Sequence, residues 1–525
     1  MTSTLTRPPE ATSVPNGGDT ASRPVPGTLL TTGDHKRLGL LFLYGGVASL
    51  LAASISGLIF FAINGGPAVW TGNQSRLSSV TTSAALIIGI PALWIGLATY
   101  VMPLQIGATR LALPRMHNLA LWVYGAGGAL TTVGYLADDR PINSLASSIP
   151  ARAFRGNPAA DVTQLIVVGL LLIGVAIFLC AVSLLTTVLN RRAEGLRLTY
   201  LPLFSWSTLA TSTVLVLATP VFIAGLALLY FDLHYGGTLF GRGVAAERIW
   251  EHSLWVIGHP FGLLFAAAAV GIFGDIVSTH TGRPLVGFPA ARVAAIAAPL
   301  LTLFLWAGDV SVLRSPFGPV ATLGGIVVGA PLALGLLTWA GTLKQGKIRF
   351  HPSLAFAALF LANVGLATGF SIAAIFVGVE GSDADAFRNG QLSMLTFGAA
   401  LLGLGGAAAH WSPKLWGRTT PTGPAMAQAL LFFLGSIGVA LPGYLIGLGA
   451  NDSVVPIGIA GFALIAAGLG VFGLNLAARK VTSDDDPYGG HTLEWATTSP
   501  PPAHNFETIP DIRSPHPLHD ARGTD

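Results

Sequence analysis

Apolar stretches long enough to cross a lipid bilayer recur along this chain, and no other feature constrains its fold more strongly. A membrane-spanning helix needs about 20 mostly apolar residues, because every backbone polar group in hydrocarbon must be hydrogen-bonded within the segment. Of the 525 residues, 52% are hydrophobic and only 10% are charged. We therefore predict an all-α fold, a polytopic membrane helix bundle of about twelve spans. The predicted spans are residues 38–63, 79–105, 117–137, 163–190, 202–232, 251–276, 286–311, 317–342, 353–378, 390–412, 423–449 and 453–478.

The basic residues predict how the bundle is oriented. Cytoplasmic loops of membrane proteins carry an excess of Lys and Arg. With both termini in the cytoplasm, 20 of the 28 basic residues fall in cytoplasmic segments. The pI near 9.3 then reflects topology and contact with anionic membrane lipid, and it does not indicate nucleic-acid binding. The single cysteine, Cys180, excludes an intramolecular disulfide.

Composition divides the chain into three parts. Residues 1–33 are rich in Thr, Pro, Ser and Gly and are predicted to form a disordered cytoplasmic N-terminal tail. Residues 34–478 are predicted to form one twelve-helix transmembrane domain. Residues 479–525 are polar and are predicted to form a cytoplasmic C-terminal tail that packs on inner loops and neighbouring subunits.

Several segments along nearly the whole chain carry a resemblance to one family. They are TTGDHKRLGLLFLYGG at 31–46, MPLQIGATRLALPRMHN at 102–118, FDLHYGGTLF at 231–240, HWSPKLWGR at 410–418 and TLEWATTSPPPAHNFETIP at 492–510. Together they resemble subunit I of cytochrome c oxidase, the catalytic subunit of the haem-copper oxidases. The resemblance implies twelve membrane helices, a bacterial cell membrane, two haems and copper, and oxygen reduction coupled to proton pumping in the respiratory chain.

The segment around residue 259 resembles the part of the family that binds copper. His259 stands at the first copper-ligand position, whereas the family's adjacent histidine pair corresponds to Gly308 and Asp309. Copper sites use several imidazoles, about three, converging on one ion. One histidine does not supply such a site. We interpret His259 as a hydrogen-bonded core histidine, with a lone metal ligand as the alternative.

The haem-ligand positions of the family have lost their histidines as well. Counting from matching motifs places them at Thr81 for the second helix and at Gln391 and Ser393 for the tenth. A displaced alignment does not restore them, because no histidine lies between His35 and His117 or between His351 and His410. His280 is expected in a cytoplasmic loop and His410 at a helix end, too far along the chain to replace the missing ligands. We predict that the chain binds neither haem nor copper.

The charged groups of the family's proton paths are replaced too. The matching positions are Arg110 for an aspartate, Phe261 for a glutamate and Gly335 for a lysine. Without ionisable groups, a proton relay has nothing to carry charge through the low-dielectric interior. We interpret Asp309 as a residue at the outer end of the seventh helix that is solvated or pairs with Arg314, with a functional intramembrane carboxylate as the alternative.

These substitutions predict a member of the family without catalytic residues. The expected role is a structural, assembly or regulatory partner of other oxidase-type membrane subunits, subunit II- or III-like. One alternative is the catalytic subunit of a proton-pumping cytochrome c oxidase. A second alternative is a transporter or channel built on the same bundle, with Asp309 as its main support.

Overall fold

The computed structural model describes most of the chain, and the fold below is that of the described residues. These are residues 31–64, 80–81, 83–137, 160–235, 260–309, 319–377, 381–450, 452–477 and 484–523. Within these ranges the secondary structure is helical, with no strand. The predicted all-α class is thereby confirmed. Most of the predicted N-terminal tail, residues 1–30, lies outside the described residues.

The long helices follow the predicted apolar stretches. They are α1 (His35–Asn64), α2 (Ile90–Gln105), α3 (Pro114–Ala137), α4 (Ala160–Asn190), α5 (Leu203–Tyr235), α6 (Pro260–Thr281), α7 (Phe288–Asp309), α8 (Pro319–Gln345), α9 (Pro352–Val377), α10 (Gly381–Ser393), α11 (Leu401–His410), α13 (Thr422–Gly447) and α14 (Val455–Ala477). Two short helices are α12 (Ser412–Trp416) and α15 (Pro517–Arg522). Two π-helices, Ser83–Gly89 and Met394–Ala400, lie directly before α2 and α11.

A helix lies in each of the twelve predicted ranges, but the number of crossing helices is not confirmed. Ten described helices are long and apolar enough to cross a membrane, judged by length and composition. For α7 this judgement covers only Phe288–Leu303, because the side chains after Leu303 are not described. The structure therefore establishes a polytopic helical bundle and leaves twelve as a prediction.

Glycines allow several neighbouring helices to approach closely. A Cβ on Gly438 of α13 would lie 2.6 Å from the Cα of Gly461 on α14. A Cβ on Gly127 of α3 would lie 2.7 Å from the carbonyl oxygen of Gly169 on α4. Small residues at such contacts let helix backbones pack directly on each other, as is typical of helices in lipid.

The C-terminal segment, residues 484–523, folds back over one end of the bundle. We call this the tail end. Lys414 Nζ donates hydrogen bonds to the carbonyl oxygens of Thr497 and Asp485, at 2.6 and 2.9 Å. Asn505 is buried and bonds His35 Nε2 at the start of α1. The C-terminal segment therefore packs against the tail end of the bundle.

Candidate functional site

Thr81 lies in the helical turn directly before the first π-helix. It is buried, and its Oγ1 is 2.9 Å from Oγ of Ser56 on α1, so one hydroxyl donates to the other. This contact ties the start of the second span to α1. At the position predicted from the family to carry a haem ligand, the structure thus has a hydroxyl pair.

Gln391 and Ser393 lie in the last turn of α10, directly before the second π-helix. The hydroxyl of Tyr444, on α13, donates a hydrogen bond to Gln391 Oε1. The Tyr444 ring stacks on Phe370 of α9 with centroids 4.1 Å apart. The amide oxygen of Gln391 is therefore engaged by an aromatic cluster between α9, α10 and α13. Ser393 is partly buried beside it.

The two π-helices face each other across the bundle. Ser83–Gly89 packs against Met394–Ala400, and both are almost fully buried. A π-helix is rare and short, and it often occurs where a helix has been locally rearranged around a functional site. The structure thus brings together the two spans that carry Thr81 and Ser393. The side chains at this contact are mainly apolar.

Aromatic side chains fill the neighbouring space between α2 and α6. Phe261, 1% exposed, packs edge-to-face on Phe265 with centroids 5.4 Å apart. Phe265 in turn contacts Trp94 of α2, with ring centroids 5.7 Å apart. A Cβ on Gly403 of α11 would lie only 2.6 Å from Ala269 Cβ on α6. Side chains and close helix contacts therefore occupy the interior between α2, α6 and α11.

The predicted copper positions are less completely described. His259 lies outside the described residues. Gly308 and Asp309 are the last two residues of α7, and the structure describes their backbone but not their side chains. The predicted solvation of Asp309 and its pairing with Arg314 stay predictions, because the Asp309 side chain and Arg314 lie outside what the structure describes.

A buried polar network at the tail end was not predicted from the sequence. The Nε2 of Gln105 donates to Oδ2 of Asp275 and to Oε1 of Glu494, both at 3.0 Å. Ser205 Oγ donates to the side-chain Oε1 of Gln105 at 2.8 Å, and Trp411 Nε1 donates to Glu494 Oε1 at 3.1 Å. We call these five residues the glutamine network. It joins α2, α5, α6 and the C-terminal segment.

Asp275 also completes the start of α5. The backbone N–H groups of Leu203 and Phe204 donate to its two carboxylate oxygens, each at 3.1 Å. A helix N-terminus has N–H groups without intrahelical partners and attracts a negative charge. One carboxylate thereby holds the start of one helix and, through Gln105, the C-terminal segment.

Burial also shifts the pKa values of charged groups at the tail end. Desolvation lowers the pKa of the Lys414 ammonium to about 8, with Glu494 acting in the opposite direction. Desolvation raises the pKa of the Glu494 carboxyl, and its hydrogen bond from Gln105 opposes that shift. Both effects follow because a charge loses its hydration when it is buried.

Three histidines cluster beside this network. His280 Nε2 is 3.2 Å from His410 Nδ1, and the ring of His280 stacks on His351 with centroids 4.4 Å apart. The prediction that His280 lies in a loop is wrong, because it occupies the last turn of α6. Among the residues that the structure describes, no group of three or more His, Cys, Asp or Glu side chains is arranged to hold a metal ion. The cluster packs on Tyr488, whose ring centroid is 4.6 Å from that of His351.

Comparison with known proteins identifies the family. The model of cytochrome c and quinol oxidase polypeptide I matches residues 37–453. The chain belongs to this family. A putative cytochrome c oxidase subunit 1-beta of Streptomyces avermitilis is 28% identical, over 96% of this chain and 95% of that protein. Cytochrome c oxidase subunit 1 of Corynebacterium efficiens is 25% identical, over 93% of this chain and 88% of that protein.

A solved structure shows the same fold. A haem-copper terminal oxidase dimer aligns with a TM-score of 0.59 and 14% identity, over 93% of this chain and 89% of that one. The predicted resemblance to the oxidase subunit I family is therefore confirmed over nearly the full length. At this identity the structural likeness establishes the fold alone.

The residues at the family's haem positions do not fit a haem. Haem iron in proteins is held by side chains such as His, Cys, Met or Tyr. Thr81 and Ser393 offer hydroxyl groups, and Gln391 offers an amide whose oxygen already accepts from Tyr444. The neighbouring Met394 is buried, and its sulfur accepts a hydrogen bond from Asn363 Nδ2 at 3.5 Å. In this oxidase-family chain, Thr81, Gln391 and Met394 therefore form hydrogen bonds within the protein.

Proposed function

We propose that this subunit I-like protein binds neither haem nor copper and acts as a structural, assembly or regulatory partner of other oxidase-type membrane subunits. The observation that carries the proposal is the hydrogen bonding of the family's haem-ligand positions into the protein interior. Thr81 pairs with Ser56, and Gln391 with Tyr444. Neither Thr81 nor Gln391 carries an imidazole, and both side chains already form hydrogen bonds with other residues.

The packing around these positions supports the same proposal. Phe261 replaces the glutamate expected from the family and is buried in an aromatic row with Phe265 and Trp94. A large empty cavity in a protein interior is costly, at about 24 cal/mol per Å³. The buried aromatic side chains and the direct contact between α6 and α11 leave less empty space and so reduce that cost. This packing would allow the bundle to be stable without cofactors.

The tail end supports a scaffolding role. The C-terminal segment is fixed by the buried Lys414 and by the glutamine network. A folded end surface of this kind suits contact with subunit II- or III-like partners. We further propose that the protein resides in a bacterial cell membrane with both termini in the cytoplasm, following the distribution of Lys and Arg.

The absorption spectrum of the purified full-length protein tests the loss of cofactors. We expect no haem bands in the pyridine haemochrome spectrum and no stoichiometric copper by metal analysis. A haem-copper oxidase purified in the same detergent serves as the control for cofactor loss during preparation. Stoichiometric haem with oxygen consumption would overturn the proposal in favour of the catalytic-subunit alternative.

Purification under mild detergent tests the scaffolding role separately. We expect the protein to co-purify with a subunit II- or III-like membrane protein. Recovery of the chain alone from native membranes would contradict that role. The transporter alternative makes a different prediction, namely a solute-dependent rise in melting temperature that is lost in Asp309→Asn.

A further inference from the structure

The C-terminal segment is held to the tail end by two different sets of contacts. Its first part, residues 491–506, is fixed by buried hydrogen bonds from Lys414 and to Glu494. An exposed stretch, residues 507–509, follows. Beyond this stretch the chain turns back onto the first part. We call residues 507–523 the terminal arm.

Three histidines meet where the terminal arm contacts the first part. The ring of His491 lies edge-on to the rings of His519 and His516, with centroids 4.9 and 5.8 Å apart. His516 also packs edge-to-face on Phe288 at the start of α7, with centroids 5.3 Å apart. The N–H of Leu518 donates to the carbonyl oxygen of His491 at 3.2 Å. We call the three histidines the terminal trio, and the contact between the arm and the first part centres on their rings.

Two rings of the terminal trio are buried without hydrogen bonds at most of their nitrogens. His491 is 2% exposed and His516 is 8% exposed. The Nδ1 of His491 and both ring nitrogens of His516 have no hydrogen-bond partner in the described part of the chain. A neutral imidazole carries one N–H donor, whereas a protonated one carries two and a positive charge. Because an unpaired buried charge costs far more than an unpaired neutral group, this contact accommodates neutral rings and disfavours charged ones.

Two carboxylates lie near the terminal trio, and both are engaged by other groups. Asp486 pairs with Arg522 Nη2 at 2.5 Å. Asp520 accepts a hydrogen bond from Ser514 Oγ at 2.5 Å. Of these two carboxylates, Asp520 favours a proton on His516. A charge on that ring therefore has one distant source of compensation and no direct hydrogen-bond acceptor among the described residues.

Two arginines add positive charge on the side of His491. The Nη1 atoms of Arg522 and Arg349 lie 3.7 and 3.8 Å from the place that a Cβ on Gly489 would occupy. Arg522 disfavours a proton on His491. A second positive charge at this place is therefore opposed by a neighbouring cation as well as by burial.

These surroundings determine the protonation of the rings in the docked arm. Burial, followed by the neighbouring His516, His519 and Arg522, lowers the pKa of His491 to about 3. Burial and then His519 lower the pKa of His516 to about 4, against the opposite effect of Asp520. In a released arm both rings are hydrated and return toward the ordinary value of 6.5. The stability of docking is therefore fully present above about pH 6.5 and is lost as pH falls toward the docked values.

We propose that protonation of His491 and His516 releases the terminal arm from the tail end, while the first part of the C-terminal segment stays bound. The release uncovers Phe288 and changes the surface that the tail end presents on its side of the membrane. Such a device is a pH switch, in which buried neutral histidines bias an element between two positions. This inference does not depend on the proposed function.

Hydrogen exchange of the full-length protein in phosphatidylcholine nanodiscs tests the proposal. Exchange at residues 511–523 reports on the arm and exchange at residues 492–498 on the first part, each corrected for the intrinsic rate at pH 7.5 and 5.0. His491→Phe with His516→Phe keeps a ring at both positions and removes the titration. His516→Lys adds a cation within the trio, and the matched control His504→Lys adds one at an exposed position of the first part.

In the wild type, the protection of residues 511–523 should fall at least about 30-fold from pH 7.5 to 5.0, because a histidine that binds a proton only after release contributes about that factor. Residues 492–498 should keep their protection over this range, since the pKa of Glu494 is raised in the folded protein. The double phenylalanine variant should protect the arm at both pH values. His516→Lys should lose that protection already at pH 7.5, whereas His504→Lys should behave as the wild type does.

Equal protection of residues 511–523 at the two pH values in the wild type would overturn the proposal. A similar fall in the double phenylalanine variant would also overturn it, because another group would then titrate. An equal loss at residues 492–498 would mean that the whole segment is released, and the proposal is wrong. If the two phenylalanine rings themselves prevent docking at pH 7.5, the lysine variants decide, and equal protection in His516→Lys and His504→Lys contradicts the proposal.

Discussion

Two regions of this bundle differ in how their buried polar groups are hydrogen-bonded. At the predicted haem-ligand positions, the polar side chains form separate pairs, Ser56–Thr81 and Tyr444–Gln391. At the tail end, one glutamine connects two carboxylates and a serine in a single network. The first region is surrounded by aromatic and aliphatic packing, whereas the second joins four parts of the chain through hydrogen bonds.

The difference follows from the cost of burying polarity. A buried polar group without a partner costs roughly 1–3 kcal/mol in proteins, and a buried charge costs more. A buried region is therefore more stable when its residues are apolar, or polar and hydrogen-bonded. The carboxylates of Asp275 and Glu494 can remain buried because Gln105, Trp411 and backbone N–H groups supply donors. Buried polar groups are therefore found at the tail end, where their hydrogen bonds join separate parts of the fold.

The largest expected effect comes from removing the centre of the tail-end network. Gln105→Leu removes one hydrogen-bond donor from each of Asp275 and Glu494 and removes the acceptor of Ser205. Since hydrogen bonds to charged groups contribute about 1.5–3 kcal/mol each, we expect a loss of about 3–5 kcal/mol in the free energy of unfolding. The measurement is unfolding of the full-length protein in mixed detergent micelles, followed by circular dichroism.

Hydrogen exchange locates the damage in the same variant. Residues 491–498 should exchange faster in Gln105→Leu, because they lose their contact with α2. Unchanged exchange there, with an unchanged unfolding midpoint, would show that the network contributes little. The contrast between the two regions would then fail.

Restoring imidazoles at the haem positions should not restore a haem site. In the double variant Thr81→His with Ser393→His, the added rings enter a region where the two π-helices already pack together. Overpacking of this kind costs about 1–3 kcal/mol. We expect a lower unfolding midpoint and no Soret band after reconstitution with haem. A six-coordinate haem spectrum would show instead that only the ligands were lost and that space for the porphyrin remains.

Sequence reasoning predicted the helical fold but not the tail-end contacts, and its assignment of the substituted ligand positions stays a prediction. Long apolar stretches require helices in a membrane, so the positions of the helices followed from the sequence alone. The glutamine network brings together Gln105, Asp275 and Glu494, which are far apart in the sequence and lie on three different elements. Hydrophobic periodicity carries no information about such pairing. The π-helices were missed for a related reason, since packing in the folded bundle stabilises them.

The pH dependence of the C-terminal segment should reflect Glu494. Its pKa is raised in the folded state above the ordinary value of 4.5, so the folded protein binds a proton that the unfolded chain has released. Stability of the segment is therefore fully present below pH 4.5 and falls as pH rises through the folded pKa. Hydrogen exchange at residues 491–498, measured from pH 4.5 to 7.5, should accelerate with pH beyond its intrinsic dependence.

Glu494→Gln is the matched control for that measurement. Its amide cannot titrate, so the excess acceleration should disappear while the segment stays docked. The pH range stops below the pKa of Lys414, about 8, so that most of the ammonium stays protonated. The same excess acceleration in Glu494→Gln would assign the titration to another group.

The smallest expected effect is at the other region and uses the same substitution as the largest. Gln391→Leu removes one hydrogen bond, from the Tyr444 hydroxyl, at a partly buried position. We expect a loss of about 1 kcal/mol in the free energy of unfolding. Tyr444→Phe should cost a similar amount, and the double variant should cost less than the sum, because both remove one bond. A loss in Gln391→Leu as large as that in Gln105→Leu would mean that the former ligand position holds a network of its own, and the two regions would no longer differ in kind.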